Sequence, residues 1–119
     1  MTTSRAIFQK QLRAKSNNES MQSWMQKLAI DYCTKGNFIL FKELWEADQN
    51  IPRSTRNEQL QNCFHLAVIQ TTPSHCKIVQ FMASDKNLWP LASEADKSGS
   101  TPLHVAALNQ NEQALGMNF

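Results

Sequence analysis

Two cysteines and two histidines near the middle of the chain, Cys63, His65, His75 and Cys76, are its only cluster of metal-ligating side-chain types. Zinc asks for four such ligands converging on a tetrahedron, usually as pairs spaced C-x2–4-C and H-x3–5-H. Cys63-x-His65 and the adjacent His75-Cys76 fit neither spacing. The same residue types could supply a thiolate activated by an imidazole. That chemistry also needs a group to orient the base and donors for an oxyanion, and the sequence marks neither. No Gly-rich phosphate loop is present, and no two carboxylates are set apart as an acid/base pair. Free cysteine is among the most buried residue types. The chain is therefore read as non-enzymatic, with no catalytic residues, no metal and no cofactor.

The bulk properties agree with a small interaction domain. A chain of 119 residues builds one modest core. Its formal net charge of +2 gives no electrostatic reason to expect nucleic acid. Three cysteines without a secretory apolar segment favour reduced thiols in a cytoplasmic compartment over a disulfide framework. No apolar run approaches the roughly 20 residues of a membrane-spanning helix.

The most informative stretch runs from Asp96 to Ala107, DKSGSTPLHVAA. Asp and Ser favour turns because their side chains bond nearby amides, and Gly99 can take a positive φ. Thr101 is a good N-cap, and Pro102 suits the first helical position, where a missing N–H costs nothing. Leu103, Ala106 and Ala107 then form an apolar stripe of small residues at helical spacing. The stretch predicts a turn leading into a capped helix.

Thr101, Pro102, Leu103, His104 and Ala106 match the T-P-L-H-x-A signature, so this segment resembles the ankyrin repeat, whose period is about 33 residues. Asp96 and Gly99 fall where that family usually has Asp and Gly. A lone repeat cannot bury its own apolar face, and weaker copies are found upstream. Asn62-Cys63-Phe64-His65-Leu66-Ala67-Val68 aligns with Thr101 to Ala107, with His65 on His104 and Asn62 as the N-cap. The interval between the copies exceeds the usual period, and insertions near Thr71-Thr72-Pro73 and in Ser84–Ala95 would absorb the excess. A third copy, without the signature, spans Leu28 to Asn37, with Lys27 at the position of Thr101 and Phe38–Ala47 as its second helix.

Taken in order, Ser4 to Lys15 reads as a short basic helix. A capping helix is the favoured role; a basic patch for lipid or nucleic acid and a mitochondrial targeting segment are the alternatives. After a polar break at 16–20, Met21, Trp24, Met25, Leu28, Ala29, Tyr32 and Cys33 make a continuous helical stripe. Gly36-Asn37 ends it and opens a second helix whose apolar face includes Phe38, Ile39, Leu40, Phe41, Leu44 and Trp45. Asp48 to Pro52 is expected as a loop, because Pro52 biases Ile51 away from helix. Arg53 to Asn62 occupies the place of the family's hairpin finger but lacks its glycine, so a distorted or helical finger is expected. Helices follow at 62–70 and 74–83. Leu88, Trp89 and Leu91 are read as a local plug, with an exposed partner anchor as the alternative. A last helix is expected from about Asn111.

The resulting fold class is all-α: a short ankyrin-like helical repeat solenoid with an N-terminal capping helix, with residues 1–20 as N-terminal helix and linker and 21–119 as repeats (about 21–50, 57–95 and 96–119, the last either complete or truncated). The resemblance implies a protein–protein interaction scaffold that uses finger tips and exposed positions of the first helices. Carried onto this sequence, that singles out Lys97, Ser98, Ser100, Leu108 and Asn109, with Glu58, Gln59, Gln61, Ile69 and Gln70 as equivalents one repeat earlier and Thr34 and Lys35 extending the row. Asp96, Gly99, Thr101, Pro102, Leu103, His104 and His65 are assigned structural roles, each His bonding backbone and cap near its helix start. The partner is expected to be another protein, with no nucleic acid and no membrane span, in the cytoplasm, or in the host cytosol for a secreted effector. The alternative is a targeting or substrate-recruiting fragment of a larger multidomain enzyme or secreted bacterial effector; a degenerate remnant without a partner is a third reading.

Overall fold

The computed structural model describes residues 21–109 and Asn111. The basic helix and polar break expected over 1–20, and the helix expected beyond Asn111, lie outside the described residues. Everything described is helix, turn or loop; no strand occurs among these residues.

Helix α1, Met21–Lys35, forms where the stripe predicts it, and it buries Met25, Ala29, Tyr32 and Cys33. Lys27 is an interior residue of this helix, so no turn or cap opens a repeat there. The continuous stripe from Met21 outweighs the alignment that placed a helix start at Lys27. The helix stops at Gly36, whose φ is +74°. The Asn37 N–H reaches back to Tyr32 O at 2.8 Å, the bond that closes a Schellman motif. Gly36 is needed for space as well as conformation, because a Cβ there would lie 2.5 Å from the His75 ring.

Asn37 then caps α2, Phe38–Ala47, by accepting the Leu40 N–H. Leu40, Phe41, Leu44 and Trp45 are buried. Ile39, expected on the apolar face, is 59% exposed: the neighbours cover one side of the helix and Ile39 points away from them. Phe81 meets Phe38, Phe41 and Trp45 edge-on, with centroids 5.4–6.2 Å away, the geometry that aligns ring edges with ring faces.

The loop expected at 48–52 is replaced by a short helix α3, Asn50–Ser54, which buries Ile51 and Pro52. Proline is tolerated in a first helical turn, since no intrahelical bond is lost there, and burial of Ile51 overrides its local bias. Helix α4, Cys63–Ala67, ends before Gln70, shorter than expected. The carbonyls of Val68 and Gln70 instead accept from the buried Asn111 Nδ2, at 3.0 and 3.3 Å, so a side chain 41–43 residues away ends the helix. Helix α5, Pro73–Ala83, is capped by Thr72 and buries His75, Cys76, Ile78, Val79 and Met82. A 3-10 helix, Lys86–Ser93, turns Leu88 and Ala92 into the core, and the Trp89 Nε1–H donates to Ala83 O at 2.7 Å. The plug reading therefore describes this segment, and Trp89 is held by its own connection. Helix α6, Pro102–Leu108, is the last among the described residues.

Helix α1 packs against α2, α3 and α4; α4 against α5 and α6; and α2 against α5. One core of buried residues runs from Met25 through to Ala106. Helices α1, α4 and α6 thus follow one another in space, and the turns before α4 and α6 are brought to one edge.

Candidate interaction surface at the turns before α4 and α6

The two capped helices are built on one plan. Thr101 accepts the His104 N–H, and Asn62 accepts the His65 N–H. In return each histidine Nδ1 accepts the main-chain N–H of its own cap residue, at 3.1 Å in both cases. A ring nitrogen that accepts at Nδ1 carries its proton on Nε2, which leaves Nε2–H as a donor aimed outward. His65 uses that donor on Ser100 O, 2.8 Å away in the next turn. His75 is a further variant of the device. Thr72 accepts its N–H, its Nδ1 faces the Thr72 hydroxyl, and its Nε2 donates to Thr34 O at 2.9 Å, satisfying a carbonyl at the end of α1.

The turns preceding the caps also correspond. Asp96 Oδ1 accepts the N–H groups of Ser98 (2.8 Å) and Ser100 (3.0 Å). Asn57 Oδ1 does the same for Gln59 (3.0 Å) and Gln61 (2.9 Å). The Ser100 N–H, with that of Ser98, holds the Asp96 carboxyl below its usual range. Gly99 has φ +80° and Leu60, at the equivalent position, +61°. The distortion expected from the missing glycine does not occur; the turn keeps its shape with leucine in the left-handed region, at a cost of about 1 kcal/mol. The tips then join: the Lys97 N–H donates to Gln59 O at 2.9 Å.

This edge holds six of the twelve residues assigned to binding. Lys97, Ser98, Glu58 and Gln59 are exposed at the tips. Gln61 and Ser100 are half-buried and committed to the turns: Gln61 Oε1 accepts from Asn57 Nδ2, and Ser100 O from His65. At the far ends of the helices, Ile69, Gln70, Leu108 and Asn109 are exposed, although the Asn109 amide caps its own helix through Val105 O. Thr34 and Lys35 lie at the end of α1, where Lys35 pairs with Asp31 at 3.0 Å. Among the structural assignments, Pro102 is buried, whereas Leu103 and His104 are exposed. The small-residue stripe predicted for α6 is buried only at Ala106; Ala107 faces outward.

Sequence reading missed Asn57, which precedes its cap at the same interval as Asp96 does, and that interval was the signal available. It also missed Arg56, whose guanidinium bonds both carboxylate oxygens of Glu94, with Nη2 to Oε2 at 2.9 Å. This pair lowers the Glu94 carboxyl pKa and ties the segment after the 3-10 helix to the earlier turn.

Nothing in the Cys/His group gathers into a reactive centre. His65 and His75 serve separate caps, and Cys33, Cys63 and Cys76 are all buried as free thiols. Burial pushes the Cys33 thiol well up, with Cys63 beside it, the opposite of what a nucleophile needs. Among the described residues no group of three or more His, Cys, Asp or Glu could hold a metal ion. No helix among them is long and apolar enough to cross a membrane. Comparison of the chain with protein-family models, with curated proteins and with solved structures found no match.

Proposed function

We propose that the chain is an ankyrin-like repeat scaffold that binds another protein through its turn tips and the adjoining ends of α4 and α6, and that it is not an enzyme. The observation that carries this reading is the pair of turns joined by the Lys97–Gln59 bond, each rigidified by an Asx side chain and a capped helix. Rigid turns hold Glu58, Gln59, Lys97 and Ser98 in a fixed row, so little ordering is left to oppose association. The mixed charge of the row suits a protein surface better than a polyanion. Three buried free cysteines support a reducing compartment.

The test is co-purification from the native cell with quantitative mass spectrometry. A Glu58→Ala/Gln59→Ala/Lys97→Ala variant is expected to keep its urea midpoint and lose its partner, while Lys42→Ala/Glu46→Ala on α2 keeps both. Equal recovery of the same partners by both variants would overturn the reading.

A further inference from the structure

Two of the three free thiols meet inside the core. Cys33 lies in the last turn of α1, and Cys63 is the first residue of α4. The two helices pack together, both cysteines are 0% exposed, and their side chains share a hydrogen bond. Cys76, on α5, directs its Sγ to the Thr71 carbonyl instead, at 3.8 Å. The helix start itself does not ask for a cysteine at position 63. Its counterpart, Pro102, is the residue type better suited to a first helical position. Burial keeps the Cys33 thiol protonated, so the pair is inert while the helices are closed on it.

We propose that Cys33 and Cys63 form a redox-sensitive latch, which a small-molecule disulfide such as oxidised glutathione closes into one bond between α1 and α4. A thiolate uncovered by a transient opening between the helices attacks the small disulfide. A mixed disulfide forms and one small thiolate leaves. The second cysteine, also as a thiolate, then attacks the protein sulfur of the mixed disulfide, forms the Cys33–Cys63 bond and expels the second small thiolate. The two protons lost by the cysteines end on the two small thiols, so two protein thiols are oxidised and one small disulfide is reduced. Because the thiols are already in contact, the second step needs no rearrangement of the core. The closed ring runs from α1 through α2, α3 and the Asn57 turn to α4, and it fastens the base of that turn to α1. Such a crosslink acts mainly by restricting the unfolded chain, so the oxidised protein is the more stable form. The pair stays reduced at rest and closes when small disulfides accumulate. The latch does not depend on tip-directed binding, since it lies in the core.

The test is incubation of the full native chain with oxidised glutathione at mildly alkaline pH, followed by alkylation and peptide mapping by mass spectrometry. A Cys33–Cys63 disulfide is expected, with Cys76 recovered in alkylated form. The urea midpoint should rise by about 2 M, and dithiothreitol should reverse both changes. Cys76→Ala is expected to keep the bond and the gain, whereas Cys33→Ala should show no gain over its own untreated midpoint. The mapping on the unsubstituted chain decides the matter even where that variant fails to fold. The proposal is overturned by a chain that stays reduced or stops at the mixed disulfide. A bond that forms only in urea, that involves Cys76 as often, or that lowers the midpoint overturns it equally.

Discussion

The helix starts at Asn62 and Thr101 share a cap, a histidine and a turn, yet one is buried and the other open. His65 is fully buried with both ring nitrogens bonded, whereas His104 bonds only its own cap. The helix start with the worse sequence, Asn62-Cys63 after a leucine in the left-handed region, sits in the middle of the core, although the tip of its turn is exposed. The turn with the better sequence, carrying Gly99 and Thr101-Pro102, sits at its margin. Local signals thus carry more of the structure where packing carries less. Phe64 and Leu66 bury enough apolar surface to hold α4 at five residues without a proline at its start. Helix α6, with only Pro102, Val105 and Ala106 buried, relies more on its cap.

Core truncation should separate the two units most. Phe64→Ala is expected to cost about 4 kcal/mol, since it empties a fully enclosed site. Leu103→Ala, already open to water, should cost under about 1 kcal/mol; urea unfolding followed by circular dichroism checks both. Comparable losses would mean that α6 is as enclosed as α4. The histidines come next. His65→Ala strands the buried Asn62 N–H and takes the donor from the half-buried Ser100 O, at about 2–3 kcal/mol, against about 0.5–1 kcal/mol for His104→Ala, which removes half of an exposed capping box. Chemical denaturation of both variants at one pH tests this difference.

Exchanging the turn residues should act in opposite directions. Leu60→Gly is expected to stabilise the chain by about 1 kcal/mol by relieving the left-handed leucine. Gly99→Leu should destabilise it by about as much through backbone conformation, because no atom lies within 4 Å of a Cβ there. A destabilised Leu60→Gly variant would show that the Leu60 side chain contributes packing that outweighs its backbone cost. The smallest difference is in acid. Asp96 has its pKa lowered on folding, so its contribution is complete above the unfolded carboxylate range and is lost as pH falls through the lowered folded value, below about pH 4. Asn57 does not titrate. An acid titration by NMR should therefore loosen the Ser98 and Ser100 amides before those of Gln59 and Gln61, and Asp96→Asn should remove the difference.

Several features were legible because they depend on near neighbours in the chain. The cap at Thr101, the cap at Asn62, the turn at Gly36-Asn37 and the stripe of α1 each follow from residue types a few positions apart. The length of α4 was not legible, because it is decided by Asn111 bonding the carbonyls of Val68 and Gln70. Nor was α3, where burial of Ile51 outweighs the bias before Pro52. The Arg56–Glu94 pair spans 38 residues and has no local signature. The binding row was legible as positions but not as availability: Gln61 and Ser100 look like exposed polar residues in sequence, and only the folded turn commits them to partners.

By itself the sequence determined that this chain is helical, where most of its helices begin, and which two turns share a plan. These depend on side chains reaching backbone groups three or four residues away, a distance set by local geometry. Tertiary structure alone decided which of the two equivalent histidines is enclosed, where α4 stops and which face of α6 stays open. Each of those depends on what arrives from another part of the chain, and burial, unlike capping, has no meaning until that part is in place.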